Sequence, residues 1–324
     1  MTVQYLRKVS VVIASEKQRL DFAQFRCKFS IRKGDSQSPN SCDVRIYNLD
    51  VPTANSLAPV TSEFKSLIVQ AGYEGNFGTV FSGSISQVRI GRESQLDTYV
   101  DVTAADGDHA YSFAAVSAAQ AALSPASIAA LLQNSMKVYG VNAPPIPQFL
   151  KDKVVDSTRG YSCYGAAKDE LRLLADNADC VWSIQDQSPV FVSMTEAPTT
   201  ETIVIGPNSG LIGTPEQTEN GIVFRTLLNA NIKVCSLIQL NATINRMRFG
   251  VFLGSEVPNA LNQAQNLINA NGLYYVMNVS HDGDTRGTEW YSTATCLAVD
   301  ARLKNVDLTG ALIAAPPPKV RYGP

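Results

Sequence analysis

Apolar and polar residues alternate along roughly the first 110 positions and again after about 203, while the stretch between them follows a helical period of about 3.6. In the first stretch Val9–Ala14 is apolar and β-branched. Phe25–Ile31 sets Phe25, Cys27, Phe29 and Ile31 against Arg26, Lys28 and Ser30. Val44–Leu49, Phe64–Gly72, Gly78–Ile90 and Gln95–Ala104 continue the series, with Pro52–Ser56 placed to start a short helix. Turn residues separate them at Asp35–Ser41, Gly72-Tyr73-Glu74-Gly75 and Gly91–Ser94. Strands at such short spacing predict a sandwich or barrel.

From Tyr111 the pattern changes. Ala114–Ala122 is alanine-rich, and Ser124-Pro125 supplies an N-cap followed by proline at the first helical position. Ile128, Leu131, Leu132, Ser135, Met136 and Tyr139 share one helical face, and Gly140 ends it. A second helix is predicted over Tyr164–Ala178, with Ala167, Leu171, Leu174, Ala175 and Ala178 inward, followed by a hairpin around Asp186–Pro189. After the polar linker Ala197–Thr202, strands return at Ile222–Leu228 and Ile232–Leu240, joined by Asn229-Ala230-Asn231. Tyr274–Leu297 reads as their partner hairpin, turning on Asp282-Gly283-Asp284. One amphipathic helical insertion, Pro258–Asn271, interrupts this part, and residues 314–324 form a proline-rich tail. The fold class expected is mainly β with a small α+β insertion: two tube-like antiparallel β-barrel domains flanking or joined by a helix-containing domain. The boundaries fall at 1–110, 111–202 and 203–313, with the tail beyond. An echo between Asp106-Gly107-Asp108-His109 and His281-Asp282-Gly283-Asp284 raises a duplicated barrel, against the plain reading of two ordinary Asp-Gly turns.

Composition narrows the function. The chain has 324 residues, 45% hydrophobic and only 17% charged, which fits a globular chain that buries surface in an assembly. A net charge of −2 argues against a dedicated nucleic-acid binder, because phosphate neutralisation needs clustered cations. The one basic group, Arg26, Lys28, Arg32 and Lys33, reads as a solvated strand face. Six scattered cysteines without a C-x-x-C read as buried thiols. No apolar run follows Arg7 and Lys8 to make a signal peptide, and none reaches the length of a membrane span, so folding in a cytosol without a membrane anchor is expected.

Catalytic patterns find little support. The Asp-Gly-Asp stretches lack the alternating acids and terminal Glu of a calcium loop. Two histidines in turn-like positions and no G-x-S-x-G elbow argue against a serine hydrolase. A glycosidase carboxylate pair need not be sequence-local, but Glu196 and Glu201 fall in a linker and Glu170 on a helix face. No phosphate-binding glycine loop is present. The expectation is a non-enzyme with no catalytic, metal or cofactor-binding residue and no cofactor. Arg286, between Asp284 and Glu289, fits either an intersubunit ion pair or a surface turn salt bridge. Trp182, Trp290 and Tyr291 read as packing residues.

The motifs Ser38-Pro39-Asn40, Arg45-Ile46-Tyr47-Asn48-Leu49, Ala71-Gly72-Tyr73 and Phe81-Ser82-Gly83 occur in the order found in contractile-tail phage baseplate hub proteins. The later runs, Gly210-Leu211-Ile212-Gly213-Thr214-Pro215 through Leu227-Leu228-Asn229 and His281 to Gly287 with Trp290, also resemble that family. The resemblance implies a homotrimer whose two barrels per chain make a pseudo-six-fold ring. Such a ring joins a hexameric tail tube, or a tube-initiator protein, above to a central spike protein below. Baseplate wedge proteins surround it, and tape-measure protein and DNA pass through its lumen without sequence-specific binding. The implied location is the virion tail baseplate. Candidate interface residues are Gly72, Tyr73 and Glu74 in one hairpin turn and His281, Asp282, Asp284, Arg286 and Trp290 around the other. The proline-rich tail is a further candidate for partner contact. A tail-associated peptidoglycan hydrolase or a carbohydrate-binding β protein is the alternative.

Overall fold

The computed structural model describes residues 6–14, 19–57, 66–120, 124–153, 161–194, 202–218, 221–244 and 272–298. The expected helix at 258–271 and the tail at 314–324 lie outside the described residues. The N-terminal part carries β1 (Arg7–Ala14), β2 (Arg19–Asp21), β3 (Cys27–Gly34), β4 (Ser41–Tyr47), α1 (Val51–Leu57), β5 (Ser66–Tyr73), β6 (Asn76–Arg92) and β7 (Thr98–Ala105). The middle part holds α2 (Asp108–Phe113), β8 (Ala115–Gln120), α3 (Pro125–Lys137), α4 (Gln148–Asp152), β9 (Tyr161–Ala166), α5 (Ala167–Asn177), β10 (Cys180–Gln185) and β11 (Ser188–Ser193). The C-terminal part adds β12 (Ile203–Ile205), β13 (Leu211–Thr218), β14 (Gly221–Leu227), β15 (Leu237–Leu240), β16 (Leu273–Asp284) and β17 (Trp290–Ala298).

Thirteen of these strands form one sheet, in the order β13-β14-β17-β16-β3-β4-β7-β6-β5-β1-β2, with β12 and β15 attached beside β16. The protein is therefore mainly β, and its two β lobes are not separate sheets. They are sewn together where β16 pairs antiparallel with β3, from Asn278 opposite Gly34 to Asp284 opposite Lys28. Alternation gives the N-terminal lobe its core. Phe29 and Ile31 of β3, Val44 and Ile46 of β4, and Val100 and Val102 of β7 meet Val11, Leu67 and Val69 from β1 and β5. The middle unit has its own core of Ile128, Leu132, Met136, Leu171, Leu174 and Trp182, and the C-terminal lobe a third around Phe224, Ile238, Tyr274 and Tyr275. All six cysteines are buried, and burial raises the thiol pKa of Cys27, Cys42, Cys163, Cys180 and Cys296.

Local rules hold where local chemistry decides. Ser124 Oγ accepts the Ser127 amide and Pro125 opens α3. At the start of α1, Asp50 Oδ2 accepts from the Thr53 amide. Helix α5 starts at Ala167 because Tyr161–Ala166 pairs with the alanine-rich β8 instead of extending the helix.

Three readings of the C-terminal part are corrected. Ile222–Leu228 and Ile232–Leu240 do not form a hairpin: β14 pairs β13 and β17, whereas the second run is a strand only over Leu237–Leu240, beside β12 and β16. The Asn229-Ala230-Asn231 stretch is instead a plug in the first lobe. Asn76 donates to Asn229 Oδ1 at 3.1 Å, Asn231 Nδ2 donates back to Asn76 Oδ1 at 3.1 Å, and Leu228 and Ala230 join the N-terminal core. Asp282–Asp284 is strand, not turn, and the β16–β17 loop is Thr285–Glu289. Gly283 stays extended because Phe29 and Trp290 close over it edge to face, with centroids 5.6 Å apart. A Cβ there would fall 3.0 Å from Trp290 Cε3 and closer still to the Phe29 ring. Gly283→Ala is therefore expected to cost about 1–3 kcal/mol through overpacking, read as a lower midpoint in urea unfolding. An unchanged midpoint would show that the aromatic pair yields freely.

Candidate functional site

The chemistry-bearing side chains gather along the β3–β16 seam rather than in an enclosed cleft. Alternation sends Arg26, Lys28 and Arg32 to the polar side of β3, and the same register brings acids to meet them. Arg26 Nη2 lies 2.8 Å from Asp284 Oδ2, Lys28 Nζ 3.1 Å from Glu289 Oε2, and Arg32 Nη1 2.9 Å from Asp282 Oδ1. The expected solvated face holds for Arg26, Lys28 and Arg32, whose side chains are exposed, each with an acid supplied from the other lobe, and fails for Lys33, which is buried. Burial opposes ionisation of Asp284, but the Arg26 hydrogen bond and the Arg286 amide hold its carboxyl below the usual range. Arg7 reaches over from β1, lies 5.5 Å from the Trp290 ring centroid, and donates to the Gly287 carbonyl at 2.6 Å.

His281 sits on the inward side of the same seam, 2% exposed, with Nδ1 2.8 Å from Ser292 Oγ. Ser292 Oγ accepts the Asn229 amide, which leaves its own proton to donate to a neutral imidazole. Burial first, then Lys33 and Arg32, draws the His281 pKa down to about 3.

Lys33 lies on the same inward side of β3 as Ile31, and its side chain reaches the middle unit. Its ammonium lies 2.6 Å from Asp186 in the β10–β11 turn, where Asp186 and Gln187 both have positive φ. Asp106 accepts both turn amides, at 2.6 Å each, and Asn40 Nδ2 donates to it and to the Ile184 carbonyl. Burial pushes the Asp106 carboxyl up to about 6 against those donors. Asp106-Gly107-Asp108-His109 is thus a joint between lobe and middle unit that leads into α2, and it is not the counterpart of His281–Asp284 within β16.

Among the candidate interface residues, Gly72, Tyr73, His281, Asp284 and Trp290 are buried within the chain, Asp282 is half-buried, and Glu74 and Arg286 are exposed. Gly72 is fixed by close approach, since a side chain would meet the Asn76 carbonyl. Sequence reading missed Arg7, Asn76 and Asp106. Arg7 and Asn76 gave no local pattern, and Asp106 looked like a turn acid.

A family model described as "Baseplate hub gp41" matches residues 6–253, most of the chain. The chain belongs to the baseplate hub gp41 family. No curated protein matches the sequence. Among solved structures, the hub resembles a 43 kDa tail protein of prophage MuSo2 from Shewanella oneidensis, at 7% identity and TM-score 0.56 over 90% of this chain and 98% of that one. It also resembles a tail protein from Neisseria meningitidis MC58, at 8% identity and TM-score 0.55 over 93% and 100%. The third is in a Francisella PdpA–VgrG complex, at 8% identity and TM-score 0.52, covering 96% of the hub and 61% of that chain. These likenesses show the fold, and the family makes the hub a structural protein of the phage tail baseplate that associates with other tail components.

Two predictions follow the seam. Asp284→Ala leaves Arg26 and the Arg286 amide unpaired and is expected to lower unfolding free energy by about 2 kcal/mol, whereas Glu289→Ala, in an exposed pair, should cost less than about 1 kcal/mol. Equal losses in denaturant titration would refute that ranking. Because the folded hub keeps His281 neutral while the unfolded chain protonates near 6.5, its stability contribution is full above 6.5 and lost as pH falls towards about 3. That residue should contribute a slope on the order of 1.4 kcal/mol per pH unit in this window, absent in His281→Gln; identical pH–stability profiles would contradict a buried neutral imidazole.

Proposed function

We propose that the hub is a homotrimeric ring that joins the hexameric tail tube, or a tube-initiator protein, to the central spike of a contractile tail. In this reading the three cores follow units at 1–110, 111–202 and 203–313, and each chain contributes its two β lobes to a six-lobed ring. Baseplate wedge proteins hold the outside, and tape-measure protein and DNA pass through the lumen. Glu74, Asp282 and Arg286 are the earlier interface candidates with surface left for a neighbouring molecule. The ring is assembled in the host cytoplasm before it is built into the virion.

The observation that carries this reading is the edge-to-edge junction of two β lobes within one chain. A run of eight strands, β13-β14-β17-β16 from one lobe and β3-β4-β7-β6 from the other, crosses the junction without a break. A surface that already joins two lobes by strand pairing supplies the step from which a ring is built, and heterologous steps of this kind close when the rotation allows. The polar side of the run suits a channel wall that does not trap phosphate, because most of its cations are paired with acids and Arg225 lies over the Tyr291 ring. Arg45 and Arg89 share Asp101 at 2.7 and 2.8 Å, and Arg32 holds Asp282.

The test is the mass of the purified hub by light scattering across a wide concentration range. A particle of three 35.0 kDa chains is expected. A monomer at every concentration, and still a monomer with the spike protein added, would overturn the ring.

A further inference from the structure

The two lobes repeat one strand order. In the N-terminal lobe, strands met along the chain as β3, β4, β6, β7 lie in space as β6-β7-β4-β3. In the C-terminal lobe, β13, β14, β16, β17 lie as β16-β17-β14-β13. The registers agree as well. Thr103 of β7 stands opposite both Asp43 and Gln87, and Thr295 of β17 opposite both Val223 and Asn278. Each long strand even has its irregularity in the same place, between Ile85 and Gln87 in β6 and between Val276 and Asn278 in β16.

The lobes differ in what covers the edge of that long strand. On the side of β16 away from β17, β15 takes Leu273–Tyr275 and β3 takes Asn278–Asp284. On the matching side of β6, β5 takes Asn76–Ser84, and among the described residues no strand takes Gln87–Arg92. The counterpart of β3 is β13, which among the described residues pairs only with β14. Among the described residues, one chain therefore ends in two open edges that are each other's partners in the repeat. Ile90 shows the consequence: it is 44% exposed, whereas its counterpart His281 is 2% exposed beneath β3.

We propose that Gln87–Arg92 of one hub pairs antiparallel with β13 of a second copy, in the register that β16 uses on β3. Carried across the repeat, His281 opposite Ile31 becomes Ile90 opposite Gln217, Asp282 opposite Ser30 becomes Gly91 opposite Glu216, and Ser280 opposite Arg32 becomes Arg89 opposite Thr218. The pairing covers the inward Ile90 and places Glu216 diagonal to Arg89 on the polar side, a favourable cross-strand charge arrangement. Main-chain groups of both edges gain partners that no described strand supplies. The choice of a second copy as occupant rests on the ring reading; the register rests on the internal repeat.

The test is disulfide trapping in the full chain, run beside the mass measurement. The native thiols are buried, so cysteines placed at the edges are the accessible ones. Ile90→Cys with Gln217→Cys, and separately Arg89→Cys with Thr218→Cys on the polar side, are oxidised with diamide and run on non-reducing gels. Ile90→Cys with Ile212→Cys serves as an out-of-register control. Linked dimers and trimers from either in-register pair, absent from the control and from single variants, are the expected result. A trimer in solution that links at neither in-register pair, or links at the control, overturns the strand pairing and leaves the ring standing. A monomer at all concentrations, with or without spike, overturns both.

Discussion

Backbone donors and acceptors of β16 from Asn278 to Asp284 find their partners on β3, more than 240 residues earlier in the chain. Everything at the centre of the molecule is conditional on that pairing. It sets Gly283 between Phe29 and Trp290, brings Asp282 and Asp284 to Arg32 and Arg26, and buries His281 against Ile31. A slip of one residue would exchange the two sides of β16 and place the carboxylates in the core and His281 outside. The ion pairs are individually modest where exposed, but they are arranged so that only one register satisfies them all. They act as specificity for an alignment that the hydrogen-bond ladder alone leaves open.

The same logic explains the polar joint at Asp106. Two amides of a turn with positive φ at Asp186 and Gln187 point into a buried space, and unpaired they would each be costly. Asp106 answers both, Asn40 closes its remaining side, and Lys33 compensates the charge of Asp186. The middle unit is thus held to the first lobe by directional bonds with little tolerance for rotation. Side by side, the seam and the joint leave β3 as the strand that touches all three parts of the molecule, with Cys27, Phe29 and Ile31 in the first core, Lys28 and Arg32 paired with acids of the second lobe, and Lys33 reaching the middle unit.

Alternation made most strands of the first lobe legible, because a half-buried antiparallel strand writes its two sides directly into the residue order. The N-cap at Ser124-Pro125 and the inward positions of α5 were legible for the same local reason. Pairing partners were not. Nothing near Asn229 or Asp282 distinguishes a hairpin turn from a plug or a strand end, since the deciding contacts come from Asn76, Phe29 and Arg7 far away in the chain. The exposure of Arg26, Lys28 and Arg32 was legible, but their acid partners were not, because those acids lie beyond position 280. The duplication was sensed from the wrong residues: the Asp-Gly-Asp echo is not a repeat, whereas the strand order, invisible without pairings, is one.

An open strand edge is normally a hazard, and soluble proteins blunt it with charge, bulges or cover. Residues 87–92 carry Arg89 and Arg92, and β13 carries Glu216 and an irregular stretch between Ile212 and Glu216 that includes Gly213 in the left-handed region. Opposite charges on the two edges repel like edges and favour the unlike pair, so the protection against random association and the complementarity for a fitted partner come from the same side chains. Within the chain the equivalent junction incurs no loss of translational freedom, whereas between chains that loss is on the order of 4–15 kcal/mol. A single strand pair with one Ile covered is a small return against such a cost. In the proposed ring, closure would resolve the difference: once two such junctions had formed, the last would be made within one particle and no further chain immobilised. A partial ring of that kind would be weak and a closed one durable, so the same modest junction could join three chains without favouring open polymers.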